Sequence, residues 1–170
     1  MEAEATFTVN KLTHQGLVNL FSTATYGNDS AIMIKPSKES EDLQLEAQSR
    51  EDFWASILEQ GGSLWVYDLY DESTSKEEAE YYGKQGINWV ETDYRRVTNK
   101  VVDIFGRVHI ISKFSVPAYK ITMETLLAGI NANTKESSLL VQELFIDEDY
   151  DLYTAYNLMQ VAVFGEIIYG

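Results

Sequence analysis

Residues 87–116 constrain the fold of this chain more than any other stretch. They are dense in β-branched and aromatic side chains, with Tyr94, Val97, Val101, Val102, Ile110, Ile111 and Phe114 among them. Such side chains pack well on a pleated surface and crowd the preceding turn of a helix. Asn99 and Gly106 are the plausible turn positions inside the stretch, so it reads as an antiparallel β-meander. A sheet with an apolar face needs cover, and the flanking segments must supply it.

On the N-terminal side, residues 6–9 form a short β-like run. Thr13 is placed to cap a helix in which Leu17, Leu20, Phe21 and Ala24 recur at spacings of three and four until Gly27. Residues 31–34 read as a second strand stopped by Pro36, and the polar segment 37–48 as an exposed loop or marginal helix. Ser49 with Asp52 resembles a capping arrangement ahead of an apolar helical face, Phe53, Trp54, Ile57 and Leu58, that Gly61 and Gly62 stop. In the β-type run 64–70, Leu64, Val66, Asp68 and Tyr70 alternate with Trp65, Tyr67 and Leu69, and the second set is expected to face the core. Ser75 and Glu78 have capping-box spacing for a short helix that Gly83 or Gly86 ends.

Beyond Pro117 the pattern turns helical. Thr122 caps residues 123–130, Ser137 or Ser138 opens 139–145, and Asp149 caps 150–168. In the last helix Leu152, Ala155, Met159 and Ala162 form a stripe that Tyr156, Val163 and Ile167 widen, so its end should be buried. The expectation is one α+β domain over residues 1–170, with an α/β-alternating part at about 5–85, a C-proximal β-meander at about 87–116 and a helical part at about 122–169. Its sheet is mixed or antiparallel, its helices pack mainly on one face, and its C-terminal third is helical. An apolar fraction of 45% suffices for a core of its own.

The chain has no cysteine, which removes disulfides, thiolate nucleophiles, iron–sulfur clusters and thiolate zinc sites together. Met1, Glu2, Ala3 and Glu4 are acidic where a secretory signal would be basic, and the longest apolar stretch, 158–169, falls short of the ~18–20 residues that span a bilayer. These features lead to the expectation of a cytoplasmic protein without a membrane segment.

Charge is unevenly spread. Residues 94–120 hold Arg95, Arg96, Lys100, Arg107, Lys113 and Lys120 against Asp103 alone, so this window carries +5 and the rest of the chain −19, giving the net −14. An acidic surface repels phosphates and anionic lipid heads and speeds encounter with basic partners. The basic side chains of the meander are expected to meet the chain's own acidic helices or those of a second copy.

Catalytic chemistry finds few candidates. Two histidines, His14 and His109, are the only imidazoles, and neither accompanies a nucleophile motif. His14 sits in the first turn of a helix, where the dipole disfavours an imidazolium, and His109 lies within the meander. The glycine pairs resemble no phosphate-binding loop. Asp147, Glu148, Asp149 and Asp151 resemble the opening of a calcium loop, but Leu152 and Leu158 stand at its glycine and glutamate positions, so a capped helix start explains them better. Glu166 lies among Val163, Phe164, Ile167 and Ile168, where a carboxylate is costly unless paired. No catalytic residue, metal ligand or cofactor is assigned.

The reading is a non-catalytic acidic binding domain that recognises a basic protein partner, as an inhibitor, an immunity protein or a nucleic-acid mimic does. Interfaces favour tyrosine beside charge, which selects Tyr70, Asp71, Glu72, Glu77, Glu78, Glu80, Tyr81, Asp147, Glu148 and Tyr150 as partner-binding residues. Self-association is compatible with the charge map. The alternative is a carboxylate-dependent, metal-assisted hydrolase using Glu166 and Asp68. Single-strand nucleic-acid binding by Arg95, Arg96, Lys100 and Arg107, with Tyr94, Phe105, Phe114 and Tyr119 as stacking platforms, is disfavoured by the surrounding acid.

Overall fold

The computed structural model describes residues 12–25, 31–43, 45–69, 91–132 and 152–164. Caps place its helices. Thr13 Oγ1 accepts from the Gly16 N–H at 3.1 Å and opens α1 (His14–Ala24). After β1 (Ile32–Pro36) and one helical turn, α2 (Lys38–Glu41), Ser49 Oγ accepts from the Asp52 N–H at 3.1 Å to open α3 (Arg50–Glu59). The strands β2 (Leu64–Asp68), β3 (Glu91–Val102) and β4 (Val108–Ile121) follow. Thr122 Oγ1 then accepts from the Thr125 N–H at 3.2 Å at the head of α4 (Met123–Ala132), and α5 (Leu152–Phe164) is the last described element.

The four strands pair antiparallel in the order β1-β2-β4-β3, so the sheet is antiparallel and not mixed. Its helix-side face carries Ile32, Ile34, Leu64, Val66, Tyr119 and Ile121 into one core with Leu17, Leu20 and Phe21 of α1 and Trp54, Ile57 and Leu58 of α3. α1 packs on α3 and α5, and α5 on α4. Leu158, Met159, Gln160, Val161, Ala162 and Val163 are all buried, as the apolar composition of that helix leads one to expect. At the α4–α5 crossing Gly129 lies against the Ala162 backbone, an approach that a larger residue would block.

Five expectations are corrected. In β2 both sets of side chains are buried. Leu64 and Val66 face the main core, whereas Trp65 and Tyr67 enter a smaller cluster on the opposite face with Val97, Val116 and Ala118. Between Glu91 and Ile121 there is one hairpin, not a meander of several turns: Asn99 sits inside β3 and the turn is at residues 103–107. β4 runs on through Pro117 to Ile121, because Pro117 falls just beyond the last β2–β4 pair, Tyr67↔Ala118, where only β3 still pairs with it. Pro36 likewise belongs to β1 and pairs with Leu64 at a sheet edge. The segment after it is not simply exposed, since Ser63 Oγ donates to Ser37 Oγ at 2.6 Å and Ser37 Oγ to Ser40 Oγ at 3.0 Å in a buried chain of hydroxyls. The strand expected at 6–9, the helices expected from Ser75 and from Ser137 or Ser138, and the ends of the last helix lie outside the described residues.

Candidate functional site

All ten residues selected for partner binding, Tyr70, Asp71, Glu72, Glu77, Glu78, Glu80, Tyr81, Asp147, Glu148 and Tyr150, lie outside the described residues, as does Glu166. The structure instead draws the eye to the far half of the β3–β4 hairpin. Up to Asn99↔Ser112 the two strands pair in one register; the next pair is Lys100↔Ile110, which leaves Ile111 as a bulge residue. From Asn99 to Lys113 every residue except Asp103 is exposed. At a rise of ~3.3 Å per residue, this two-stranded arm with its turn reaches about 20 Å beyond the buried part of the sheet.

Asp103 builds the tip. Its N–H donates to the Arg107 carbonyl at 3.0 Å, and its own carbonyl accepts from the Gly106 N–H at 3.0 Å. Its carboxylate Oδ1 accepts from the N–H groups of Phe105 and Arg107, both at 2.9 Å, while Oδ2 lies 2.7 Å from His109 Nε2. His109 first, and then the Arg107 N–H, hold the Asp103 carboxyl below the usual carboxylate range. Gly106 takes φ +76°, which completes a three-residue loop closed by a left-handed residue. The central loop residues must then point outward, and Ile104 and Phe105 are 94% and 78% exposed.

Register sorts the rest of the arm. Lys100↔Ile110 and Val102↔Val108 share one face, and Val101↔His109 lie on the other. Val102 and Ile111 remain 63% and 66% exposed. Monomeric proteins seldom leave so many large apolar groups together in water without a use for them.

The base of the arm is differently employed. Arg95 lies 4.7 Å over the Trp65 ring, 3.6 Å from Asp93, and donates to Tyr67 Oη at 3.2 Å. Lys120 is 3.6 Å from Glu39 and 3.8 Å from Glu91. Arg96, Lys100 and Lys113 have no ion-pair partner among the described residues, and Arg107 lies over the Phe105 ring at 5.9 Å. Contact between the basic residues and the chain's own acidic helices is therefore seen for Lys120 with Glu39 of α2, while the arm carries Lys100, Arg107 and Lys113 away. Of the proposed stacking platforms, Tyr119 is buried against Phe164 and Phe114 packs on the smaller cluster, so those two rings are already engaged.

No match to this chain is found among family models, curated proteins or solved structures.

Among the described residues, two open clefts lie beside the helices. One, of about 650 Å³, is bordered by Glu39, Leu43, Gln60, Glu91, Thr122 and Thr125. The other, of about 710 Å³, is bordered by Leu12, Leu58, Met123 and Leu127, with His14 and Glu59 on its rim. The His14 imidazole is clasped by two carboxylates of α3: Nδ1 meets Glu59 Oε1, and Nε2 lies 2.5 Å from Asp52 Oδ1. The Glu59 contact, reinforced by Asp52, raises the His14 pKa above its ordinary 6.5 against the pull of partial burial. The two acids thus outweigh the helix-start penalty and tie α1 to α3. Asp68 is buried at the end of β2 opposite Ile32, away from either cleft lining. Among the described residues no group of three or more His, Asp or Glu side chains is arranged to hold a metal ion.

Sequence reasoning did not single out Ile104, Val102, Val108, Ile110 and Ile111 as an exposed apolar surface, and it named Phe105 only as a stacking platform. Their signal was present: Val101-Val102 and Ile110-Ile111 are adjacent apolar pairs, which in strands put apolar groups on both faces at once.

Proposed function

We propose that this chain is a non-catalytic protein-binding domain whose docking element is the β3–β4 arm. The carrying observation is the pinned turn that holds Ile104 and Phe105 in solvent at the end of a cationic hairpin. Full burial of a large apolar side chain is worth ~1.5–3 kcal/mol, so a partner surface gains where the isolated chain does not. Arg96, Lys100, Arg107 and Lys113 against Asp103 suit that partner to be acidic as well as apolar. The charge map supports the same class from the other side, because a chain with −19 outside the arm window offers an acidic body to a basic protein.

The test is a photo-crosslinking amino acid at position 105 of the full chain, irradiated in extract of the producing cells. Protein adducts that disappear when Lys100 and Arg107 are both changed to Glu are the expected result. Adducts confined to lipid or nucleic acid, or no adducts at all, would refute the reading.

A further inference from the structure

We infer that the arm's partner is a second copy of this chain, with the arm of one molecule docking on the acidic strip of α2 and the segment after it in the other. This deepens the binding reading above and rests on it.

The receiving surface matches the arm in kind. Glu41, Asp42 and Glu46 are exposed and have no ion-pair partner among the described residues, and Leu43 and Leu45 lie between them half-buried on the main core. Acids thus flank leucines over a short strip, as the cations Lys100 and Arg107 lie among the apolar Val102, Val108 and Ile110 on the arm. Leu43 also borders the 650 Å³ cleft, whose rim carries the exposed carboxylates Glu39 and Glu91 around Lys120. That cleft has room for the Phe105 ring, and its two acids outnumber its one cation.

Two other occupants fit less well. β3 is a sheet edge, so two arms could pair edge to edge, but that arrangement brings Arg96 and Lys100 of one copy beside those of the other. An anionic membrane would attract the tip, yet the exposed apolar residues run back along both strands to Ile111 and Val101, which suits a shaped protein surface better than insertion of a tip alone. Charge therefore selects body over arm, and the length of the exposed apolar surface selects protein over lipid.

The experiment is sedimentation of the purified full chain over a concentration series at low and high ionic strength. Wild type should associate at low salt and weaken at high salt. Changing Ile104 and Phe105 together to Ser should weaken association by ~100-fold or more, since both side chains are lost from the interface. Lys100→Glu with Arg107→Glu, and separately Glu41→Lys, Asp42→Lys and Glu46→Lys together, should each give monomers. Mixing the two charge-reversed proteins should restore association, which also proves both are folded.

Wild type that stays monomeric at every concentration overturns the inference; if residue 105 still crosslinks to another protein in extract, the binding reading survives it. Association that the arm changes abolish but the strip changes leave intact also overturns it, in favour of arm-to-arm pairing. Monomers that instead sediment with phosphatidylserine vesicles through Ile104 and Phe105 defeat both readings.

Discussion

Gly129→Ala sets two well-characterised effects against each other. A Cβ built on Gly129 falls 2.0 Å from the Ala162 carbonyl oxygen, 2.9 Å from its carbonyl carbon and 3.1 Å from its Cα. All three are backbone atoms, so no side-chain rotation relieves the contact. A carbon–oxygen approach settles at ~3.3 Å or more, and α4 and α5 must part by about 1 Å to reach it. α5 has little room to yield, because Leu158, Val161 and Val163 around Ala162 are all fully buried. Overpacking of this kind costs ~1–3 kcal/mol, and a rigid backbone clash belongs at the upper end. Helix propensity acts the other way, since alanine in a helix interior is better than glycine by ~0.5–1 kcal/mol. The net expectation is destabilisation of about 2 kcal/mol, which at a urea slope of ~2 kcal/mol per molar lowers the unfolding midpoint by about 1 M. Tryptophan fluorescence during urea titration reads it directly. A midpoint that is unchanged or raised would mean that propensity wins and that the close crossing of α4 and α5 is wrong.

Three further outcomes are expected. His14 has a raised pKa, so its stabilising contribution is fully present below pH 6.5 and lost as pH rises through the folded value; that of Asp52, lowered chiefly by the Gln48 N–H and then by His14, is present above pH 3.8 and lost as pH falls through its folded value. His14→Gln should accordingly lower the melting temperature more at pH 5.5 than at pH 8.5, and an equal drop at both would contradict the clasp. Ser63→Ala removes the donor to Ser37 inside the buried hydroxyl chain and should cost ~1–2 kcal/mol in urea unfolding; a loss within error would show the chain to be dispensable. Asp103→Ala takes away the acceptor for two tip N–H groups, so amide exchange at Phe105 and Arg107 should accelerate while the global unfolding midpoint stays put, and unaltered exchange would show that Asp103 does not order the turn.

How far the sequence could be read depended on whether the deciding information was local. Thr13, Ser49 and Thr122 cap the helices they were expected to cap, because a hydroxyl and an N–H three residues on lie within one turn. The apolar burial of α5 was equally legible from its composition. The faces of β2 were not, since Trp65 and Tyr67 are hidden by partners as distant in sequence as Val97 and Val116, and alternation alone cannot tell a main core from a second one. Asn99 suggested a turn, but pairing with Ser112 and the tighter loop built by Asp103 and Gly106 override it. The basic window was visible as a number. Its projection from the body was not, because composition does not distinguish a strand inside a sheet from one that outruns it.

The arm's energetics bear on how such a chain should assemble. Burying Ile104, Phe105, Ile110 and Ile111 against a partner yields on the order of 8 kcal/mol at ~2 kcal/mol each, against an association cost estimated at 4–15 kcal/mol. One arm on one body is therefore marginal, and charge attraction has to contribute. It can do so without the body's own acid cancelling it, because the tip stands about 20 Å out and the screening length at physiological salt is ~8 Å. A closed pair in which each arm docks on the other body doubles the burial for a single loss of translational freedom, whereas an open chain of copies gains one docking per added molecule. The closed pair should win, so sedimentation is expected to level off at two copies; mass that keeps rising with concentration would show that the arms link molecules head to tail.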